Sequence, residues 1–592
     1  MTTTMQTAAS ARAAALLGTA LMLALPGASL AQEAPGREQL EAQQGQPAPT
    51  PPSRLSVEGG FERGDCALAD PAMASVKVTF SRVSFAGLPG IPAGELDEAW
   101  QDLAGKEQPL AALCEVRDRA ATILRARGFL AAVQVPPQRI EKDGEVQMDV
   151  LAAKLVDVEV RGNPGHAEAQ IAAHLRKLTD RPWFNIREAE RQLLLLRDLP
   201  GFDVRLKLRP AGTAPGAVIG EVTVRRRAIE LLVGGQNLGA KATGREGAVA
   251  QLTVNDLTGL GDRTVASLFS TLQPREQTVA SLSHDFAVGA EGLRIGGRLV
   301  YARARPDIAG GAFSSRTWIG SAELSYPLVR RQGTRMVGSA GLDHVDQVID
   351  FGAVRLSTDK LRVGWGKLGF DMVDGASLAG RGGHSLADPF LRLGGEVELR
   401  KGLAAFGASR PCDLLSNCLS PNVPLSNFAA NPQGGLIRAE ARLELRPFRG
   451  VTVLLSPRGQ YSASRLLSFE QFTLGNYTIG RGFDPGAVQG DSGLGLGAEL
   501  RAGRLLPDGP DGFAIQPYTF VDAGWAWTND GGITPMRRLV STGGGARLRW
   551  GDHADVNLLV AVPLERVPGA TQLGAARVLM TFSTRLLPWK SQ

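Results

Sequence analysis

From about Ala228 onward, apolar and polar residues alternate with a period of two. The clearest run is Ile437 to Arg446: Ile437, Ala439, Ala441, Leu443 and Leu445 take alternate positions with Arg438, Glu440, Arg442, Glu444 and Arg446. A strand sends successive side chains to opposite faces, so this run has one apolar face and one charged face. Leu391, Leu393, Val397 and Leu399 against Arg392, Glu396, Glu398 and Arg400 repeat the scheme, as do Ala546, Leu548 and Trp550 against Arg547 and Arg549. A soluble sandwich hides its apolar face but rarely charges every outward position. A membrane barrel places the apolar face in lipid and the charges in a wet lumen. About sixteen such segments fit the 365 residues that follow Arg227, at about 23 residues per strand and connection.

Before Ala228 the pattern is different and repeats. A strand reaches Val83–Gly87, helices follow near Glu95–Leu103 and Leu110–Arg127, and Gly128–Phe129 opens two strands running to Leu151. A second strand ends at Val158–Gly162, helices follow at Ala167–Leu178 and Ile186–Leu199, and Gly201–Phe202 opens two more strands. Val83 to Val158 is 75 positions and Gly128 to Gly201 is 73, which argues for two copies of one β-α-α-β-β module. Asn185, with Glu188 three residues later, predicts a capping box. Ile186, Ala189, Leu193 and Leu196 then share the face that packs on a sheet.

The start of the chain reads as a secretory signal over 1–31. Arg12 precedes the apolar run Ala13–Ala24, Pro26 and Gly27 break it, and Ser29-Leu30-Ala31 fits a cleavage site before Gln32. No later segment reaches the roughly 18 unbroken apolar residues of a membrane helix. Residues 32–75 are a linker and candidate plug segment, rich in Gln, Pro, Ala and Glu up to about residue 55, with a short helix at Glu38–Gln44. An exported chain meets an oxidising compartment, and the four cysteines are even in number. Cys412 and Cys418 pair within one loop, which leaves Cys66 to pair with Cys114. None of the four has CxxC spacing and the six His are scattered, so a metal site is not expected. A net charge of +6 is small for 592 residues, and no basic run carries interleaved aromatics, which argues against nucleic acid.

Two short stretches stand out within the alternating region. Gly480-Arg481-Gly482-Phe483 lies in a Gly-rich segment that cannot be a strand, and Phe520-Val521-Asp522-Ala523-Gly524 lies in an alternating strand. Gln516, Tyr518, Phe520, Asp522 and Gly524 share one face, so Asp522 points to the lumen. Arg481 reaches it only if its loop folds inward, and in a wet lumen such a pair contributes about 1–3 kcal/mol. Gly490-Asp491-Ser492-Gly493 has the look of a serine-protease nucleophile segment, but no His stands in a comparable motif. Gly493-Leu494-Gly495-Leu496-Gly497 is a weak dinucleotide signal, because barrel strands flank it. No catalytic set and no cofactor site emerge.

Two tandem modules before a sixteen-strand barrel resemble the POTRA–barrel plan of the two-partner secretion transporters (TpsB), the hemolysin secretion/activation family. The most specific stretch is Phe469-Glu470-Gln471-Phe472-Thr473-Leu474-Gly475, Ile479 to Phe483, and Gly490 to Gly493. In that family it is the sixth surface loop, tucked into the barrel, with a Phe-x-Asp-x-Gly partner motif matched here by Phe520, Asp522 and Gly524. Asn476 stands where many relatives carry a second Gly, and Phe483 where many carry Tyr. The resemblance implies a first POTRA domain over 76–153, a second over 154–227 and a barrel over 228–592. It further implies an outer-membrane, non-enzymatic, monomeric transporter with its modules in the periplasm. The partners would be the lipid bilayer and an unfolded exoprotein (TpsA type) of adhesin or hemolysin kind. The rival readings are an insertase of the same superfamily, or a passive pore or receptor.

Overall fold

The computed structural model describes residues 34–44, 66–141, 144–214, 216–307, 312–413, 417–418 and 422–588. The proposed signal segment lies outside these residues. Sixteen strands, from Ile229–Gln236 to Arg577–Leu587, form one closed antiparallel barrel in which the last strand pairs with the first. Closure satisfies every strand edge, the condition for a sheet to cross lipid. Among the described residues no helix is long and apolar enough to span a membrane.

Each N-terminal module is a three-stranded sheet with helical elements on it. In the first, Phe80–Ala86 pairs parallel with Gly144–Ala152, which pairs antiparallel with Ala131–Gln134. In the second, Lys154–Gly162, Ala217–Arg226 and Phe202–Pro210 repeat that arrangement. The helices of the second module, Glu168–Thr179 and Ile186–Arg197, pack Ile171, Leu175, Leu193 and Leu196 against Leu155, Leu206 and Val222. In the first module Ala112–Ala126 is an α-helix, but the helix expected near Glu95–Leu103 is a 3-10 segment, Ala93–Ala99. Gly94 and the Pro at its N-cap explain the weaker helix. The capping box is also absent as such: Asn185 Oδ1 accepts from Arg187 N–H at 2.9 Å, and Glu188 turns to Arg181 at 3.4 Å. Both disulfides form, Cys66–Cys114 with Cα atoms 6.0 Å apart and Cys412–Cys418 at 5.6 Å.

Several barrel strands exceed the roughly 10 residues that cross a bilayer. Phe313–Arg331, Thr334–Phe351 and Val354–Val373 have 19, 18 and 20 residues. Their lower ends reach the second module. Arg330 forks onto Asp198 at 2.6 and 2.8 Å, and Gln332 N–H donates to Glu190 at 2.5 Å. Asp256, in the turn after the second barrel strand, accepts from the backbone N–H groups of His166 and Ala167 at 3.0 and 3.1 Å. These contacts mark that end of the barrel as the side facing the modules.

Candidate functional site

The segment between Val451–Ser462 and Ser492–Ala502 does not extend outward but fills the lumen. Its base is pinned by the buried Asp491, whose carboxylate accepts from Leu466 N–H at 2.8 Å and Asn529 N–H at 2.9 Å. Ser492 Oγ accepts from Ser462 N–H at 3.0 Å. The protease-like quartet is therefore a staple that closes the loop. Phe472–Leu474 and Val488–Gly490 pair as a small hairpin inside the barrel. Gly475 has φ +146, and a Cβ there would sit 2.3 Å from Asp484 O, so the turn accepts only glycine.

The tip of this loop meets the wall. Arg481 Nε and Nη2 fork onto Asp522 at 2.9 and 2.6 Å, while Arg481 N–H donates to the same carboxylate at 2.9 Å. Its Nη1 donates to Glu499 at 2.6 Å, and its guanidinium lies 3.7 Å from the Phe520 ring centroid. Fork geometry and ring stacking are what Arg, and not Lys, supplies. Asp522 is 1% exposed, so the site is drier than the wet lumen expected from sequence. Losing one partner of so buried a pair costs about 3–5 kcal/mol. Gly480 has φ +117, and Gly482 lies so close to the wall that a Cβ would be 2.8 Å from Ser541 Cβ and 2.9 Å from Pro563 N. Phe483 is buried with Phe472, Leu474, Ile479 and Leu539. Gly524 faces Leu474, where a Cβ would come within 2.5 Å.

Two features of this site were not read from sequence. Glu499 accepts from Arg481, from Arg501 at 2.8 Å and from Arg547 at 3.0 Å, which ties the loop to two strands of the wall. Gly493, Gly495 and Gly497 form a cradle for the loop, each closely approached by Phe472, Ile479 or Asp522. The signal was present, since these glycines alternate with Leu494 and Leu496 and lead into Glu499 and Arg501 on the same face.

A short helix, Arg37–Gln43, also lies in the lumen. Arg37 pairs with Glu398 at 2.7 Å, and Glu38 contacts Arg458 and the Thr473 hydroxyl of the loop. Glu398 continues to Arg400 at 3.2 Å, which reaches Glu470 and Asp343 at 2.8 Å. Leu40 packs with Phe469 of the loop and Val300 and Leu361 of the wall. Helix, loop and wall thus share one ionic network. Among the described residues no cluster of His, Cys, Asp or Glu is arranged to hold a metal.

Comparison with known proteins accords with this architecture. The model of haemolysin secretion/activation protein ShlB/FhaC/HecB matches residues 384–548, and that of the ShlB-type POTRA domain matches 78–152. The Heme/hemopexin transporter protein HuxB of Haemophilus influenzae (strain 86-028NP) is 24% identical over 262 residues, 42% of this chain. The match spans 45% of that relative's length. Two solved structures share the fold: CdiB from Escherichia coli (TM-score 0.66, 16% identity) and CdiB from Acinetobacter baumannii (0.62, 17%). Each comparison covers 93% of this chain and 96% of the other. The matched families are secretion and transport proteins, not enzymes. Residues 384–548 thus resemble the haemolysin secretion/activation proteins and residues 78–152 the ShlB-type POTRA domain.

Proposed function

We propose that this chain sits in the outer membrane, binds an unfolded exoprotein of adhesin or hemolysin type in the periplasm, and passes it through its barrel. The observation that carries this reading is a lumen filled by two separate segments, both held by ion pairs and not by covalent bonds. A permanent plug needs no such design, whereas a gate must release. In this reading 1–31 is the export signal and 32–75 holds the plug helix. Residues 76–153 and 154–227 are the cargo-receiving POTRA domains, acting as a monomer with the barrel over 228–592. Sheet edges of the modules offer backbone groups to an extended cargo segment. Arg481 and Asp522 are the latch. Gly480, Gly482, Phe483, Phe520 and Gly524 shape its seat. The periplasm lacks ATP, so folding of the cargo outside supplies the drive.

The test is secretion by Arg481→Ala and Asp522→Ala variants. The loss of about 3–5 kcal/mol shifts the resting equilibrium of the loop by roughly a hundredfold or more. We expect secretion to fall while the barrel still assembles, as read by its heat-modifiable mobility on gels. Normal export by both variants would refute the latch.

A further inference from the structure

The outer wall of the barrel carries a groove for which transport gives no use. Over 277–373 the two faces are separable, because Val300, Ile319, Val345 and Leu361 pack inside with Leu40. The alternate positions therefore face outward, and Leu282, Leu299 and Leu342 are each at least half exposed there. Between them lies a groove of about 620 Å³ with Gly297, Gly320 and Ala322 at its floor. The register sets Leu299 opposite Gly320, Gly297 opposite Ala322, and Ala322 opposite Leu342.

Nothing inside the protein requires these glycines. A Cβ at Gly320 would meet only Leu299 at 3.7 Å, and one at Gly297 only Ser321 O at 3.4 Å. Both are ordinary contacts, although glycine in a strand costs about 0.5–1 kcal/mol relative to alanine. A side chain at either position would fill the groove. The far wall is unusual as well. After Leu391–Gly402 the chain folds over Arg362, with Leu403 N–H donating to Arg362 O at 2.7 Å and Arg362 Nε donating to Phe406 O at 3.0 Å. Phe406 has φ +48 and is 79% exposed at the rim. An aromatic held in a strained backbone with its ring uncovered calls for a contact beyond the chain.

The groove has a polar end. One step beyond Leu299 and Gly320, Tyr301 and Trp318 lie with ring centroids 4.6 Å apart, like the aromatics that mark a membrane interface. One step further, Arg303 stands opposite Arg316. Arg316 pairs with Asp350 at 2.9 Å and Arg362 with Asp346 at 2.9 Å. Arg303 and Lys360 have no acidic partner among the described residues. This end is the extracellular one, because the other end of the same strands carries Gly289, whose carbonyl accepts from Gln170 of the second module.

We propose that the groove holds an acyl chain of a bis-phosphorylated glycolipid of the outer leaflet, of the lipid A type, with Arg303 and Lys360, which stand three strands apart, each taking one of its phosphates. The surrounding medium argues for the occupant, since a lipid-facing apolar groove is bathed in acyl chains. Charge complementarity argues for the headgroup, because cations facing lipid are costly unless an anion meets them. The inference rests on the outer-membrane placement proposed above but not on any cargo.

The test is native mass spectrometry of the full chain released from nanodiscs of phosphatidylethanolamine and bis-phosphorylated lipid A. One retained lipid A is expected. Gly320→Leu, or Ala322→Phe as a second filler, should reduce it at least about tenfold, and the double variant Arg303→Gln, Lys360→Gln by roughly the same factor. Phosphate-free lipid A should be retained no better by the native chain than lipid A is by the double variant. Gel mobility without heating verifies that each barrel is folded. Retention equal in the native and filled grooves would overturn the site. A preference for phosphatidylethanolamine, or indifference to the phosphate, would overturn the ligand. Secretion measured with and without the native chain separates the two proposals, since unchanged export together with retained lipid A counts against the transport reading alone.

Discussion

Arg481 owes its setting to small neighbours as much as to its own charge. The loop enters the lumen because Gly493, Gly495 and Gly497 remove side chains from the wall in its path. A Cβ at Gly493 would lie 2.1 Å from Phe472 Cδ1 and 2.8 Å from Trp525 O. Gly493→Ala is therefore expected to cost about 1–3 kcal/mol of loop seating. Limited proteolysis of the folded barrel should then cut the loop segment 463–491 several-fold faster. Gly366→Ala serves as the control, because no atom lies within 4 Å of a Cβ there. Equal cutting of the two variants would count against the cradle. The direction of Asp522 was legible from the period of two, since Tyr518, Phe520 and Asp522 are buried while Val521 is exposed. The role of Glu499 was not legible. Arg501 shares its strand face, but only the pairing of the wall strands brings Arg547 beside it, and only the inward fold of the loop brings Arg481.

At the scale of elements, strong periodicity carried the reading and weak local signals misled it. The helices Ala112–Ala126 and Ile186–Arg197 lie within the segments whose apolar positions recur at helical spacing. Leu194 and Leu195 are buried as well, which the one-faced pattern does not explain. Leu195 packs toward Gly292 in a barrel turn, so the helix is covered on a second side by a partner invisible in its own sequence. The same module is expected to respond to pH. His174 on Glu168–Thr179 is buried, and burial holds its imidazole below the usual value, outweighing the nearby Gln192. A depressed value means that the folded module holds neutral His174. Its contribution is complete above the unfolded value of about 6.5 and is lost as pH falls through that value toward the folded one. Amide exchange of this helix should quicken as pH drops from about 7.5 to about 5.5, after correction for intrinsic rates, by up to about 1.4 kcal/mol per pH unit. His174→Gln should flatten the profile, and an unchanged slope would assign the response elsewhere.

At the scale of the whole molecule, alternation and the 75-residue offset made barrel and modules legible, because both are local patterns. The docking of the second module on the long strands was not. Arg330–Asp198 and Asp256–His166 join residues far apart in sequence, and each side alone reads as an ordinary surface charge or turn. The lumen helix was legible as a helix but not as a partner of Glu398, Arg458 and Thr473. The assembled molecule is a closed barrel with its modules fixed on one side and its pore filled by a loop and a helix. We propose that this molecule moves one exoprotein. The most direct measurement is quantitative proteomics of the culture medium and outer membrane, with and without this chain. Transport of one exoprotein predicts that one large exoprotein is lost from the medium while other outer-membrane barrels are unchanged. A broad fall in those barrels, or no change in either fraction, would contradict it.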